Sequence, residues 1–126
     1  MTSQKSVCID TNIIVHHVMG DDQTFVQLLP EVTAIFIPLP IVFETVFVLE
    51  KIYCIERQEI VFELQKIFSE DIIKTSKTLL SEIFSLYLQQ RSLSIIDCYV
   101  ACYAKLNELQ LVTADKKLKK VAESYV

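Results

Sequence analysis

Apolar and polar positions alternate along this chain in blocks that switch between strand-like and helix-like spacing. Ser6 to Ile9 reads as a short buried strand. Asn12 to Met19 then carries a helical pattern, closed by the sole glycine, Gly20, at a C-cap position. Asp21 and Asp22 suit the start of a second helix running to Leu29, and Pro30 to Thr33 turns the chain. "AIFIP" predicts a second strand, and the run from Pro40 through Tyr53 a helix that starts on a proline. In "ERQEIVFELQKIF", Ile60, Val61, Leu64, Ile67 and Phe68 share one helical face. "DIIKT" predicts a third strand, "KTLLSEIFSLYLQQR" and "SLSIIDCYVACYAKLNE" two more helices, and "LQLVTAD" a fourth strand. A short basic helix follows, with "SYV" as a candidate last strand.

Strands alternating with helices predict an α/β fold with a mostly parallel sheet of four or five strands covered on both faces. Ligand sites in such sheets lie beyond the C-terminal ends of the strands. No repeat, low-complexity tract or linker interrupts the 126 residues, which predicts one domain over 1–126.

Composition sharpens this picture. Hydrophobic residues make up 52% of the chain and mean hydropathy is +0.38. Even so, Glu44, Glu50 and Lys51 break the longest apolar run below the roughly 18 residues of a membrane span. The polar start "MTSQKS" lacks the pattern of a secretory signal, so the expected location is the cytoplasm, with no membrane partner. The four cysteines form no CxxC pair, which predicts reduced thiols packed as small apolar groups. Net charge is −4, which argues against a surface coated in positive charge for nucleic acid. It leaves room for local contacts through metal ions and the cluster Lys116, Lys117, Lys119 and Lys120.

The acids carry the candidate chemistry. Asp10 ends the first strand, and an N-cap explains it as readily as a function does. Glu44 sits in "IVFETVFVL", and its helical neighbours Pro40, Ile41, Phe47 and Val48 are all apolar. That placement argues against a solvent stripe and for function, because an ionised carboxylate in apolar surroundings needs a cation. Asp97 and Ser94 fit a capping box as well as a site. Asp115 follows the fourth predicted strand, with Thr113 two residues earlier. Four carboxylates converging on one cleft would repel one another unless a cation held them. An oxygen-only donor set with no matching His or Cys selects Mg²⁺ or Mn²⁺ over zinc, and phosphodiester hydrolysis over acyl transfer. His16 and His17 read as ordinary helix residues.

"CIDTNIIVHHVMGDD" and "SLSIIDCYVACYAKLNELQLVTADKKL", with Glu44 between them, resemble the PIN domain. Within that superfamily the short form is most similar to the VapC-type toxin ribonucleases of toxin–antitoxin pairs. The resemblance implies a three-layer α/β/α sandwich and a metal-dependent endoribonuclease. Asp10, Glu44, Asp97 and Asp115 would be its catalytic and metal-binding acids, and Mg²⁺ or Mn²⁺ its cofactor. It implies supporting roles for Asn12 and Thr113, and weaker ones for Thr11 and Ser94. RNA is the implied substrate, with a cognate antitoxin and a second copy of the chain as partners and Lys74 and Arg91 as further RNA contacts. Where the family often has a glycine before its last core strand, Asn107 is expected to take the left-handed conformation. The rival readings are a PIN nuclease of RNA processing, a non-catalytic PIN-like binding module, and a receiver-like signalling domain. The last wants an acid pair after the first strand and a phosphoacceptor acid after the third, and neither is present.

Overall fold

The computed structural model describes residues 5–125. They fall into two units, Met1–Lys77 and Thr78–Val126.

The first unit holds the sheet. Its strands are β1 (Ser6–Cys8), β2 (Ala34–Phe36) and β3 (Ile73–Lys74), in the order β1-β2-β3 and all parallel. Val7 pairs with Ile35 and Ile35 with Ile73, so the apolar residues share one side of the sheet. Ile35 and Ile73 are fully buried, whereas their neighbours Phe36 and Lys74 are exposed. Crossovers carry the helices α1 (Thr11–Met19), α2 (Thr24–Leu28), α3 (Leu39–Phe47) and α4 (Arg57–Phe68). Helix α1 ends where the sequence predicts: Gly20 has φ 75°, and its N–H and that of Asp21 bond back to the carbonyls of His17 and His16. The second helix begins at Thr24, and Asp22 accepts bonds from the Thr24 amide and hydroxyl. Those bonds hold the Asp22 carboxyl below the usual carboxylate range. Helix α3 follows Pro38 and passes at Val48–Ile52 into a wider π-helical turn. On α4 the five residues predicted to share a face are all buried. Arg57, only 7% exposed, donates from Nε to Glu50 Oε2 at 3.0 Å.

The second unit is helical among its described residues: α5 (Lys77–Gln89, with Lys77 itself in the first unit), α6 (Ile95–Leu106) and α7 (Lys116–Ser124). Buried Cys102 meets the Tyr125 hydroxyl at 3.5 Å, and that hydroxyl donates to Glu82 Oε2 at 3.1 Å. Burial raises the Cys102 thiol pKa, and burial together with these bonds raises that of Tyr125.

The α/β class and the parallel sheet agree with the sequence pattern, but among the described residues there are three strands rather than four or five. The predicted fourth strand, 109–115, forms no ladder among them. Its first residue is taken by a Schellman motif at the end of α6: Leu109 N–H bonds to Ala104 and Glu108 N–H to Lys105. Its last residues are taken by the cap of α7, and Val112 between the two is 88% exposed. The left-handed residue is Glu108 (φ 54°), not Asn107 (φ −101°), which caps the last turn of α6 through its N–H to the Tyr103 carbonyl. In the predicted last strand, Ser124 ends α7, Tyr125 is irregular, and Val126 lies outside the described residues. None of the four cysteines is in a disulfide among the described residues, yet only Cys98 and Cys102 are buried. Cys8 faces outward from β1 and Cys54 lies in a loop at φ 56°. Among the described residues no helix is long and apolar enough to cross a membrane.

Candidate active site

In the first unit, Asp10 stands two residues past β1, at the C-terminal edge of the sheet. Its backbone is extended (φ −93°, ψ 166°), and its Oδ1 accepts the Thr11 N–H at 2.7 Å. It is therefore the N-cap of α1. Thr11 opens the buried stripe of that helix with Ile14 and Val15, three and four residues on. Its hydroxyl, turned inward, donates to Oε1 of Glu44 on α3. Thr11 thus touches one acid through its amide and the other through its side chain. Asn12 is exposed and forms no bond to an acid among the described residues.

Glu44 itself is exposed, contrary to the argument from its apolar neighbours. Pro40 is exposed, Phe47 is 56% exposed and Ile41 and Val48 are partly so. The solvent-facing stripe of α3 is simply apolar apart from Glu44, and residue type did not report its direction.

In the second unit, Ser94 and Asp97 form the predicted capping box. Asp97 Oδ2 accepts from Ser94 N–H and Ser94 Oγ from Asp97 N–H, both at 3.1 Å. Asp115 caps α7, its Oδ1 accepting from Lys117 and Leu118 N–H at 2.9 and 3.0 Å. Thr113 Oγ accepts the Asp115 N–H at 3.1 Å, so it holds the backbone of that acid rather than its carboxylate. Lys116, Lys117, Lys119 and Lys120 are all exposed around it.

Each of the four acids uses one carboxylate oxygen in these bonds. The second oxygen of each is uncommitted among the described residues, and none of the four is in an ion pair there. Uncommitted carboxylate oxygens are the donor type that hard divalent cations take, so the residues fit such an ion in kind. Among the described residues no three His, Cys, Asp or Glu side chains come together as a metal-holding group. The histidines stand apart from the acids: His16 pairs with Asp21 at 2.8 Å, and His17 stacks on Phe25 with ring centroids 4.5 Å apart.

A parallel sheet with helices on its crossovers and an acid just beyond its first strand defines an α/β protein. The chain belongs to the PIN domain family, whose model matches residues 7–124. That is a nuclease-type fold, and its members are typically metal-dependent nucleases. No curated protein matches the chain at a level that would name a relative.

Proposed function

We propose that residues 1–126 work as a single nuclease domain, an endoribonuclease that hydrolyses RNA phosphodiester bonds with Mg²⁺ or Mn²⁺. The observation that carries this reading is the Asp10–Thr11–Glu44 arrangement at the C-terminal edge of the sheet. Asp10, Glu44, Asp97 and Asp115 would hold the cation through their uncommitted oxygens. The ion supplies activation of water and neutralises charge that builds on the phosphoryl group.

The chain's own residues set up the rest. Thr11 fixes the direction of Glu44, leaving one oxygen of that carboxylate outward. Thr113 holds the backbone of Asp115, and the lysines of α7 neutralise RNA phosphates. By resemblance the chain is a VapC-type toxin working in the cytoplasm as a homodimer, restrained by a cognate antitoxin.

The test is cleavage of single-stranded RNA in Mg²⁺ or Mn²⁺. EDTA should abolish it, and Asp10→Asn or Asp97→Asn should lower the rate about 100-fold or more, since even outer-shell partners cost 10–100-fold. Full activity in either variant overturns the assignment. One observation favours a second reading, a non-catalytic binding module: Asp10, Asp97 and Asp115 all serve as helix caps. Absence of Mg²⁺ or Mn²⁺ binding by calorimetry would support the module.

A further inference from the structure

A cleft of about 390 Å³ opens at the C-terminal ends of β2 and β3, the sheet edge that also carries Asp10. Its volume falls within the roughly 300–1,000 Å³ of small-ligand sites. Phe36, Pro38, Leu39, Lys74 and Ser76 line it. Phe36 is the last residue of β2 and is 49% exposed, while Ile35 and Ile37 on either side are buried. Burial therefore cannot be what a phenyl ring gains at this position. Phe36 is in register with Lys74, the last residue of β3. Paired residues of neighbouring strands point to the same side, so the ring and the ammonium group face one space. Lys74 is the one ionisable side chain among the described residues lining the cleft, in a chain of net charge −4. The walls are fixed: Thr75 Oγ donates to the Ile37 carbonyl at 2.7 Å, and the Ile37 N–H to the Lys74 carbonyl at 2.9 Å.

The geometry points to a subsite for one unpaired nucleotide of single-stranded RNA, with its base stacked on Phe36 and its phosphate held by Lys74. An aromatic face beside a cation is how single strands are gripped without reading their sequence. This inference rests on the ribonuclease reading for its ligand, and it adds a place where the strand is held flat before it reaches the acids. A base-paired strand cannot lay a base on Phe36, so the subsite also selects for single strands.

Two measurements on the full chain test it. The first is anisotropy of a fluorescein-labelled single-stranded RNA heptamer in EDTA, which stops cleavage. Phe36→Ala should weaken binding about tenfold and Phe36→Tyr should restore it, because stacking on one aromatic contributes about 5- to 150-fold. Lys74→Ala should lower the slope of log affinity against log salt by about 0.7, the value for one phosphate contact on a single strand. The second is steady-state cleavage in Mg²⁺, where both variants should raise KM with kcat unchanged. Phe36 is half exposed, so Phe36→Ala should keep its thermal midpoint. RNA cleavage with wild-type affinity and KM in both variants overturns the subsite and leaves the nuclease reading intact. Binding that drops in both variants, in a chain that cuts no RNA, overturns the nuclease reading and keeps the subsite. A hairpin stem bound as tightly as the heptamer overturns the subsite as well.

Discussion

Thr11 does two jobs at one position. Its amide meets Asp10 and its hydroxyl meets Glu44, while 95% of its surface is buried. Thr11→Val keeps the shape and removes only the hydroxyl. RNA cleavage should then fall about 10- to 100-fold, the usual effect of releasing a group that orients a metal ligand. The thermal midpoint should change little by comparison, and a rate equal to wild type would remove Thr11 from the site. The spacing that buries Thr11, three and four residues before Ile14 and Val15, lay in the sequence, but the helix expected there began only at Asn12. The partner of Thr11 was not legible, because a bond across 33 residues leaves no local trace. Glu44 shows the opposite failure: apolar neighbours in sequence became exposed neighbours on α3.

At the scale of elements, the helices were easier to read than the strands. A helix satisfies its backbone locally, so spacing and caps suffice, as with the five-residue face of α4 and the Ser94–Asp97 box. A strand exists only beside a partner, and "LQLVTAD" has the composition of a strand without the ladder. Gly20 gives a clean test of a helix end. A Cβ there would meet nothing within 4 Å, so Gly20→Ala costs only the left-handed backbone strain, about 1 kcal/mol. Thermal melting should show a drop of about 4 °C. The Arg57–Glu50 pair ties the start of α4 to the π-helical turn, with the two side chains 8% and 19% exposed. Arg57→Met strips the guanidinium from a mostly buried carboxylate, and urea unfolding should lose about 3 kcal/mol. Changing Glu50 to Leu as well should recover part of that loss, because the mostly buried carboxylate is removed too.

For the whole molecule, the sequence made the α/β class legible through its alternation of short apolar runs and longer amphipathic ones. The strand count was not legible, for the reason just given. Stability depends on pH through groups whose pKa the fold moves. His17 is one. Partial burial lowers its pKa from the ordinary value of about 6.5, with Glu63 opposing and Lys66 adding to the shift. The unfolded chain then binds more protons than the folded one as pH falls through 6.5, so stability drops on acidification. Melting curves between pH 7.5 and 5.5 should show this loss, and His17→Gln should reduce it. An unchanged pH dependence in that variant would clear His17 of the effect.

Asp10 and Asp115 are helix N-caps and Asp97 closes the capping box on Ser94, and this gives three of the four candidate acids two independent reasons to persist. A descendant that lost catalysis would still be under pressure to keep Asp10, Asp97 and Asp115 as folding punctuation, so their presence in a related chain is weak testimony that the chain still cuts. Glu44 caps nothing and sits exposed on α3. It is the acid a retired enzyme would drop first, and so the position by which working and retired members can be told apart. The same logic sets the choice of inactive variant. Asparagine caps a helix about as well as aspartate, whereas alanine costs about 1 kcal/mol. Only the amide exchange separates the loss of a charge from the loss of a helix start.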